Sequence, residues 1–319
     1  MAPKPPSLAP ELLSYRISWR EERVLCYPPA VSTNEATRGI TDIHIHVQPL
    51  AELRPGVEEA IRREGVGYLD FLRQIEADPS LLLAEMDRAG IERVGLVNDV
   101  SPDVTGFTEA SNDFSLCYAA AARERLLPIA GIHALRVRDP EGTVDRFIES
   151  GFVALKIHPP HQGYAANAYL DDLEALGRIY RRAEERRFPV MIHTGTSVFP
   201  GARSRLGRPI DVDDVAVDFP RLPILLAHGG RPLWYDEAFF VARRHPNIYL
   251  DLSGIPPRKL AECFPRLPDL GDRVLWGSDW PGPGVRDFRT NIDQFLALPF
   301  PDGWKERVLG ANSLALFPA

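Results

Sequence analysis

Short apolar runs alternate with amphipathic stretches along the chain from about residue 40 to its end. Apolar runs between turn residues are typical of strands in a parallel sheet, whereas apolar residues spaced three and four apart are typical of helices. The spacing predicts a helix over 170–186, with Leu173, Leu176 and Ile179 on one side. Eight strands are predicted, over 41–47, 93–98, 127–133, 152–158, 189–193, 224–228, 248–252 and 273–277. Strands that each precede a helix in this way predict a (β/α)8 barrel of the TIM type.

The length of the chain agrees with one such domain. The chain has 319 residues, and we assign 40–319 to the barrel because α/β barrels commonly run this long. Residues 1–39 are rich in proline and charge and show little periodicity. They are predicted to form an N-terminal extension that wraps the barrel or stays mobile, and not a second domain.

Composition excludes several classes of partner. Apolar residues make up 45% of the chain and charged residues 25%, as is typical of a soluble globular protein. The net charge is −7, and no basic stripe suits a nucleic acid. No stretch is long and apolar enough to span a bilayer, so no membrane partner is expected. The three cysteines are widely separated, which favours a reducing, cytoplasmic location over a disulfide framework.

Chemistry-bearing residues fall one after another at the ends of predicted strands, in the order His44, His46, Lys156, His193, His228 and Asp279. Catalytic residues of a TIM barrel lie at the carboxyl ends of its strands, so these side chains are expected to meet at one mouth. Residues two apart on a strand share a face, so the first strand offers Asp42 and both imidazoles on one face, and Ile43 and Ile45 on the other. Imidazole and carboxylate groups together are ligands for a catalytic divalent metal.

Five short motifs follow one another along the chain: Asp-Ile-His44-Ile-His46, Val-Met-Ile-His193-Thr-Gly, Leu-Ala-His228-Gly-Gly, Tyr-Leu-Asp-Leu-Ser-Gly and Trp-Gly-Ser-Asp279-Trp-Pro. With them, the chain resembles the amidohydrolase superfamily, in the branch that includes aminocarboxymuconate-semialdehyde decarboxylase. The resemblance runs from about residue 40 to Phe317. It implies that His44, His46, His193 and Asp279 hold the metal, while His228 polarises the substrate or holds a second metal. It also makes a homodimer an expectation.

The role of Lys156 differs between the two mechanisms that the resemblance allows. In superfamily members with two metals, a lysine on the fourth strand is carboxylated and bridges the metals, and a metal pair supports hydrolysis. In the decarboxylating members, the resemblance implies one metal that does not need this lysine. A lysine on an inward face can also pair with a substrate carboxylate or an acidic side chain. The predicted cofactor is one or two divalent ions, zinc first, with manganese, cobalt or iron also suited to nitrogen and oxygen ligands.

The main functional prediction is a metal-dependent hydrolase of a small-molecule ester, lactone or amide. Asp279 is the predicted general base for metal-activated water, and His228 is predicted to stabilise the developing oxyanion. The alternative is a metal-dependent, non-oxidative decarboxylase of a small aromatic or unsaturated carboxylic acid, in which Asp279 protonates the carbon. His158, Arg231 and Trp280 are predicted to contact the substrate, although a structural hydrogen bond is an equal expectation for His158.

Overall fold

A computed structural model of the chain describes residues 39–63, 68–282, 285 and 287–317. The predicted extension over 1–39 lies outside these residues, apart from Gly39. The described residues contain one parallel sheet of eight strands, β1 to β8, in chain order, with helices between the strands. The predicted TIM barrel is therefore confirmed. No helix within the described ranges is long and apolar enough to cross a membrane.

The strands are short and lie close to their predicted positions. They are β1 (Ile40–Ile45), β2 (Ile91–Val97), β3 (Leu126–Gly131), β4 (Ala154–Ile157), β5 (Val190–Gly195), β6 (Ile224–Arg231), β7 (Ile248–Asp251) and β8 (Val274–Leu275). Main-chain hydrogen bonds close the ring between β1 and the end of β8. The N–H of Ile43 donates to the carbonyl of Trp276 at 3.0 Å, and the N–H of His46 donates to the carbonyl of Trp280 at 2.7 Å. All carboxyl ends of the strands therefore surround one mouth.

The helices cover the outside of the sheet. They are α1 (Pro55–Arg62), α2 (Tyr68–Ala77), α3 (Pro79–Ala89), α4 (Ala110–Ala119), α5 (Pro140–Ser150), α6 (Pro159–Gln162), α7 (Glu174–Glu185), α8 (Asp211–Asp218), α9 (Tyr235–Arg244), α10 (Leu260–Cys263), α11 (Phe288–Leu296), α12 (Asp302–Glu306) and α13 (Asn312–Leu316). Asp78, Asp139 and Asp287 each accept a hydrogen bond from a main-chain N–H in the first turn of α3, α5 and α11. Such caps satisfy donors that have no partner inside the helix.

Two hydrophobic layers pack against opposite faces of the strands. The inner layer comes almost entirely from strands and includes Ile129, Met191 and Leu225, whereas the outer layer joins strand and helix residues. Lys156 lies between two residues of the outer layer, so it points toward the barrel axis as predicted from the alternation of side chains. His193 follows Met191 by two residues and lies on the same inner side.

Strand β1 departs from the simple alternation that the sequence predicts. Its pairing with β2 shifts register between Asp42 and Ile45. Ile43 and Ile45 were expected on one face, but Ile43 packs in the inner layer and Ile45 in the outer layer. A local irregularity of this kind rotates the side chains that follow it. His44 and His46 still lie together, with ring centroids 5.1 Å apart.

The helix predicted over 170–186 begins later in the structure. A short 3-10 turn covers Ala168–Leu170, and α7 begins only at Glu174. The chain turns between them at Asp172, whose φ of 144° is incompatible with a continuous helix. The side chains of Leu176 and Ile179 are buried as the spacing predicts.

Candidate metal centre and substrate cavity

Four residues meet at the barrel mouth: His44 in β1, His46 directly after β1, His228 in β6 and Asp279 after β8. The N–H of Asp279 donates to the carbonyl of His44 at 2.8 Å, which sets the aspartate beside β1. Its Oδ1 lies 3.2 Å from Nε2 of His46 and 3.7 Å from Nε2 of His44. Its Oδ2 lies 3.9 Å from Nδ1 of His228. The structure thus brings together four residues that the sequence placed at the ends of three strands; we call them the β1–β8 cluster.

The Nδ1 atoms of the three imidazoles are held from outside the β1–β8 cluster. Nδ1–H of His44 donates to Oδ2 of Asp251 at 2.6 Å, and Nδ1–H of His46 donates to a main-chain carbonyl of β2 at 3.0 Å. Nδ1–H of His228 donates to a main-chain carbonyl beyond β7 at 3.1 Å. The hydroxyl of Ser253 also lies 3.0 Å from Nδ1 of His44 and 2.9 Å from Nδ1 of His228. Because the carboxylate and the main-chain carbonyls can only accept, Nδ1 carries the proton and Nε2 keeps a lone pair. Metal-ligating histidines are oriented in this way.

Several buried ring nitrogens have no hydrogen-bond partner among the residues that the structure describes. Among the imidazoles they are Nε2 of His44, both nitrogens of His193, and Nδ1 of His158 and of His133. An unpaired buried polar atom costs roughly 1–3 kcal/mol, and a cation that accepts the lone pair removes this cost. The ring of His193 lies next to that of His228, with centroids 4.7 Å apart. His44, His228 and Asp279 offer ligand atoms within 4.8 Å of one another. These nitrogen and carboxylate donors fit a divalent metal.

Asp279 is held as an anion. Burial raises its pKa, but the charge of the Arg231 guanidinium is the largest of the contributions that hold the pKa well below its usual range. Nη2 of Arg231 lies 3.1 Å from Oδ2 of Asp279. Asp279 and His228 also have φ values of 66° and 68°, in the left-handed region that residues other than glycine seldom adopt. Such backbone strain is typical of functional sites.

Asp251 and Lys156 form the buried floor of this region. Burial raises the pKa of Asp251 to about 7, against hydrogen bonds from Ser253 and the charge of Lys156. Burial lowers the pKa of Lys156 to about 8, against the charges of Asp251, Asp279 and Asp99. A lowered pKa gives the lysine a larger share of neutral amine near neutral pH. Its carboxylation remains a prediction.

Gly277 allows Asp251 and His44 to lie close to each other. A Cβ atom at this position would lie 2.5 Å from Oδ1 of Asp251 and 2.9 Å from Cβ of His44. Any larger residue would separate the aspartate from the imidazole that it orients, which explains the glycine between Trp276 and Ser278.

A second polar group borders His193. It consists of Asp99 after β2 and His158 and His161 after β4, and we call it the β2–β4 cluster. The rings of His158 and His161 stack with centroids 3.4 Å apart, and His158 stacks on His193 at 3.8 Å. Nδ1 of His161 lies 2.5 Å from Oδ2 of Asp99, and its Nε2 lies 2.8 Å from Oγ of Ser197. The three residues offer ligand atoms within 4.8 Å of one another, so distance alone would also allow a metal here.

Both clusters open into one cavity of about 460 Å³. The three residues predicted to contact the substrate, His158, Arg231 and Trp280, all line it. Trp280 is only 2% exposed and packs on Phe288, so most of its ring belongs to the core. The apolar part of the wall includes Val47, Leu50, Leu53, Val57, Ile61, Leu72, Phe107, Val198, Phe199 and Tyr235.

Sequence reasoning assigned no role to Asp99, Ser197, Asp251 or Ser253. Two of them carried a usable signal. Asp99 directly follows a predicted strand, and Asp251 lies near the end of another, so the rule that selected the histidines also applies to both. Ser197 lies in the loop after His193, where no periodicity marks its partner.

Comparison with known proteins agrees with this geometry. A family model described as amidohydrolase matches residues 41–319. The chain belongs to the amidohydrolase family. It is thus an enzyme of the amidohydrolase superfamily, as its motifs predicted. No curated protein matches the chain.

Many solved structures are similar to the chain in fold, including the following three. An uncharacterised TIM-barrel protein from Bordetella bronchiseptica has 23% identity and a TM-score of 0.67. The match covers 87% of this chain and 98% of the Bordetella chain. A dihydroxybenzoic acid decarboxylase from Polaromonas, with bound manganese and 2-nitroresorcinol, has 16% identity and a TM-score of 0.66, covering 88% and 97%. A 2,6-dihydroxybenzoate decarboxylase from Rhizobium has 17% identity and a TM-score of 0.64, covering 88% and 98%. At these identities the likeness shows the fold alone.

Proposed function

We propose that this protein is a metal-dependent, non-oxidative decarboxylase of an aromatic or unsaturated carboxylic acid. The observation that carries this proposal is the division of the cavity wall. Imidazoles, Asp279 and Arg231 belong to its polar lining, and aliphatic and aromatic side chains make up most of the remaining lining. An aromatic acid has the same division between its carboxylate and its ring, so its polar end and its apolar body each find a matching wall.

Arg231 supplies positive charge to the polar part. Its Nη1 donates to the carbonyl of Gly254 at 2.7 Å, and its Nη2 lies 3.1 Å from Asp279. These two contacts hold the guanidinium at the cavity wall. Because a guanidinium has five N–H donors, others remain for the carboxylate of a substrate.

We assign the metal to His44, His46, His193 and Asp279, as the family resemblance implies. A divalent cation bound there would act as a Lewis acid on the oxygen atoms of the substrate. His228, oriented through its Nδ1, then faces the substrate. The Asp279 anion accepts a proton from an acidic group of the substrate and returns it to the carbon that loses carbon dioxide. The C–C bond breaks as the C–H bond forms.

The comparisons favour this reaction over hydrolysis, which was the main functional prediction. Dihydroxybenzoic acid decarboxylases are among the solved structures that are similar to the chain in fold. One of them holds manganese, a metal that the nitrogen and oxygen donors of this chain also suit. The choice among metals and the identity of the acid are matters for experiment.

The test uses the full chain loaded with manganese or zinc and a panel of hydroxylated benzoic acids, with 2,6-dihydroxybenzoate first. We expect metal-dependent release of carbon dioxide. In deuterium oxide, one deuterium should enter the ring at the carbon that carried the carboxyl group. Chelator-treated protein and His193→Ala, with barrel folding checked by circular dichroism, are the controls.

A matched panel of methyl esters and lactones separates the two reactions. Hydrolysis that incorporates oxygen from labelled water, together with no carbon dioxide from any acid of the panel, would contradict the decarboxylase proposal. It would restore the hydrolase prediction.

A further inference from the structure

Ser197, His161 and Asp99 form a chain of hydrogen bonds that decarboxylation does not use. The hydroxyl of Ser197 donates to Nε2 of His161 at 2.8 Å, and Nδ1–H of His161 donates to Oδ2 of Asp99 at 2.5 Å. The hydroxyl of Ser101 donates to the same carboxylate oxygen at 2.8 Å. A hydroxyl, an imidazole and a carboxylate bonded in this order are the arrangement that activates a nucleophilic serine.

The carboxylate determines which nitrogen of His161 carries the proton. Burial raises the pKa of Asp99, but the charge and hydrogen bond of His161 and the hydrogen bond of Ser101 hold it below its ordinary value. An ionised Asp99 can only accept, so Nδ1 carries the proton and Nε2 accepts from Ser197. The imidazole is 4% exposed and stacks on His158, which keeps it directed at the serine.

Ser197 is oriented and also accessible. It lies in the loop after β5 and lines the cavity together with Val198 and Phe199. Its N–H donates to Oγ of Ser204 at 3.2 Å, and the N–H of Phe199 donates to Oγ of Ser197 at 3.3 Å. Ser101, the other hydroxyl on this carboxylate, is buried. Of these two hydroxyl residues, Ser197 is therefore the one that combines contact with His161 and access from the cavity.

Metal binding is the other use that Asp99, His158 and His161 suggest, and their geometry disfavours it. The lone pairs of imidazole nitrogens lie in the plane of the ring. The rings of His158 and His161 stack at 3.4 Å with an angle of 11° between their planes, so their lone pairs run nearly parallel and do not converge on one ion. A metal would also have to replace the bond between His161 and Asp99.

We propose that Ser197, His161 and Asp99 form a second reactive centre, an esterase for carboxylic esters with an apolar acyl group. The hydroxyl proton of Ser197 passes to Nε2 of His161 while Oγ bonds to the ester carbonyl carbon. The C–O bond to the alcohol breaks, and the alcohol leaves with the proton from His161. Water then attacks the acyl-serine, again giving its proton to His161, and releases the carboxylic acid and the free serine.

The experiment treats the full chain with an alkyl fluorophosphonate and, separately, with p-nitrophenyl butyrate. We expect one phosphonyl group per chain on Ser197, located by peptide mass spectrometry, and release of p-nitrophenol. Both should persist after a chelator has removed bound metal, because none of the three residues is a proposed metal ligand. Asp279→Asn should lose decarboxylation and keep the labelling, so the two proposals can fail separately.

Variants assign the labelling to the hydrogen-bond chain. Ser197→Ala should abolish it, and His161→Gln and Asp99→Asn should each slow it by about 10²-fold or more, the scale of a lost general base. Thr196→Ala is the matched control, because Thr196 is a neighbouring hydroxyl residue that lines the same cavity. It should be labelled at the normal rate. Circular dichroism confirms that each variant is folded.

Three outcomes would overturn the proposal. The first is the absence of a phosphonyl group on Ser197 of the native chain. The second is an unchanged labelling rate in folded His161→Gln. The third is ester hydrolysis that is lost when the metal is removed. A metal ion found on Asp99, His158 and His161 in the native protein would overturn it as well, since the ion would occupy the base.

Discussion

The β1–β8 cluster and the β2–β4 cluster contain the same kinds of side chain but leave different atoms free. In the β1–β8 cluster each Nδ1 is bonded to an acceptor outside it, and the Nε2 atoms of His44 and His46 lie near the carboxylate of Asp279. In the β2–β4 cluster both nitrogens of His161 are already bonded, one to Asp99 and one to Ser197, whereas Nδ1 of His158 has no hydrogen-bond partner among the described residues. The first arrangement suits a cation, and the second suits transfer of a proton.

This difference shows that residue type and proximity do not identify a metal site. Both clusters bring three candidate ligand atoms within 4.8 Å of one another. What separates them is that both nitrogens of His161 are already bonded, and that the parallel rings of His158 and His161 do not direct their lone pairs at one ion. The predictions below test this distinction, beginning with the largest expected effect.

Replacing Asp279 should have the largest effect. Asp279→Asn keeps the shape of the side chain but removes the charge that serves both the metal and proton transfer. Turnover of the acid substrate should fall by about 10²-fold or more, measured as the rate of carbon dioxide release. Asp99→Asn, in the other cluster, should retain the metal content of the native chain. Near-normal turnover in metal-loaded Asp279→Asn would make Asp279 a structural carboxylate only.

Asp251→Asn should lower the affinity for the metal, although Asp251 is not itself a proposed ligand. Asp251 accepts the proton of Nδ1 of His44 at 2.6 Å, and loss of such an orienting partner typically costs 10- to 100-fold, roughly, in metal affinity. Competition with a metal indicator measures the change. Asp213→Asn is the matched control, because Asp213 bonds to His245 at 2.7 Å in a pair that does not line the cavity. Equal metal affinity in both variants would mean that His44 is not oriented by Asp251.

Gly277→Ala should lower both stability and metal affinity. The new Cβ would lie 2.5 Å from Oδ1 of Asp251, and overpacking of this kind costs about 1–3 kcal/mol of unfolding free energy. Denaturant unfolding measures it. Gly303→Ala is the control, because its Cβ would have no atom within 4 Å and it lies in helix α12. Equal stability of the two variants would show that the contact of Gly277 with Asp251 and His44 relaxes freely.

Lys156→Met should have the smallest effect on metal content. A single cation held by the proposed ligands does not require the lysine, so metal content should remain at about one equivalent per chain, measured by elemental analysis. A fall from about two equivalents to one would instead support the bridged metal pair of the hydrolytic mechanism. The methionine keeps the length of the buried side chain, which limits loss of packing.

Much of this organisation could be predicted because it depends on local sequence. Alternation of apolar runs and amphipathic stretches predicts the barrel, and the strand-end rule selects His44, His193 and His228 before any distance is known. The register shift in β1 and the turn at Asp172 could not be predicted, because tertiary pairing overrides the local pattern there.

The partners of the histidines are harder to predict for a physical reason. Asp251 follows His44 by 207 residues, and His161 follows Asp99 by 62. Only the closure of the barrel decides which strand ends become neighbours. A hydroxyl residue in a loop, such as Ser197, carries even less local signal, because loops have no repeating pattern that fixes side-chain direction.

Anomalous diffraction from crystals grown with manganese most directly tests the distinction between the two clusters. We expect one strong peak within bonding distance of Nε2 of His46 and of a carboxylate oxygen of Asp279, with no peak beside Asp99. A peak bonded to Asp99 or His161, or the absence of any peak near Asp279 at saturating manganese, would contradict the assignment of the metal to the β1–β8 cluster.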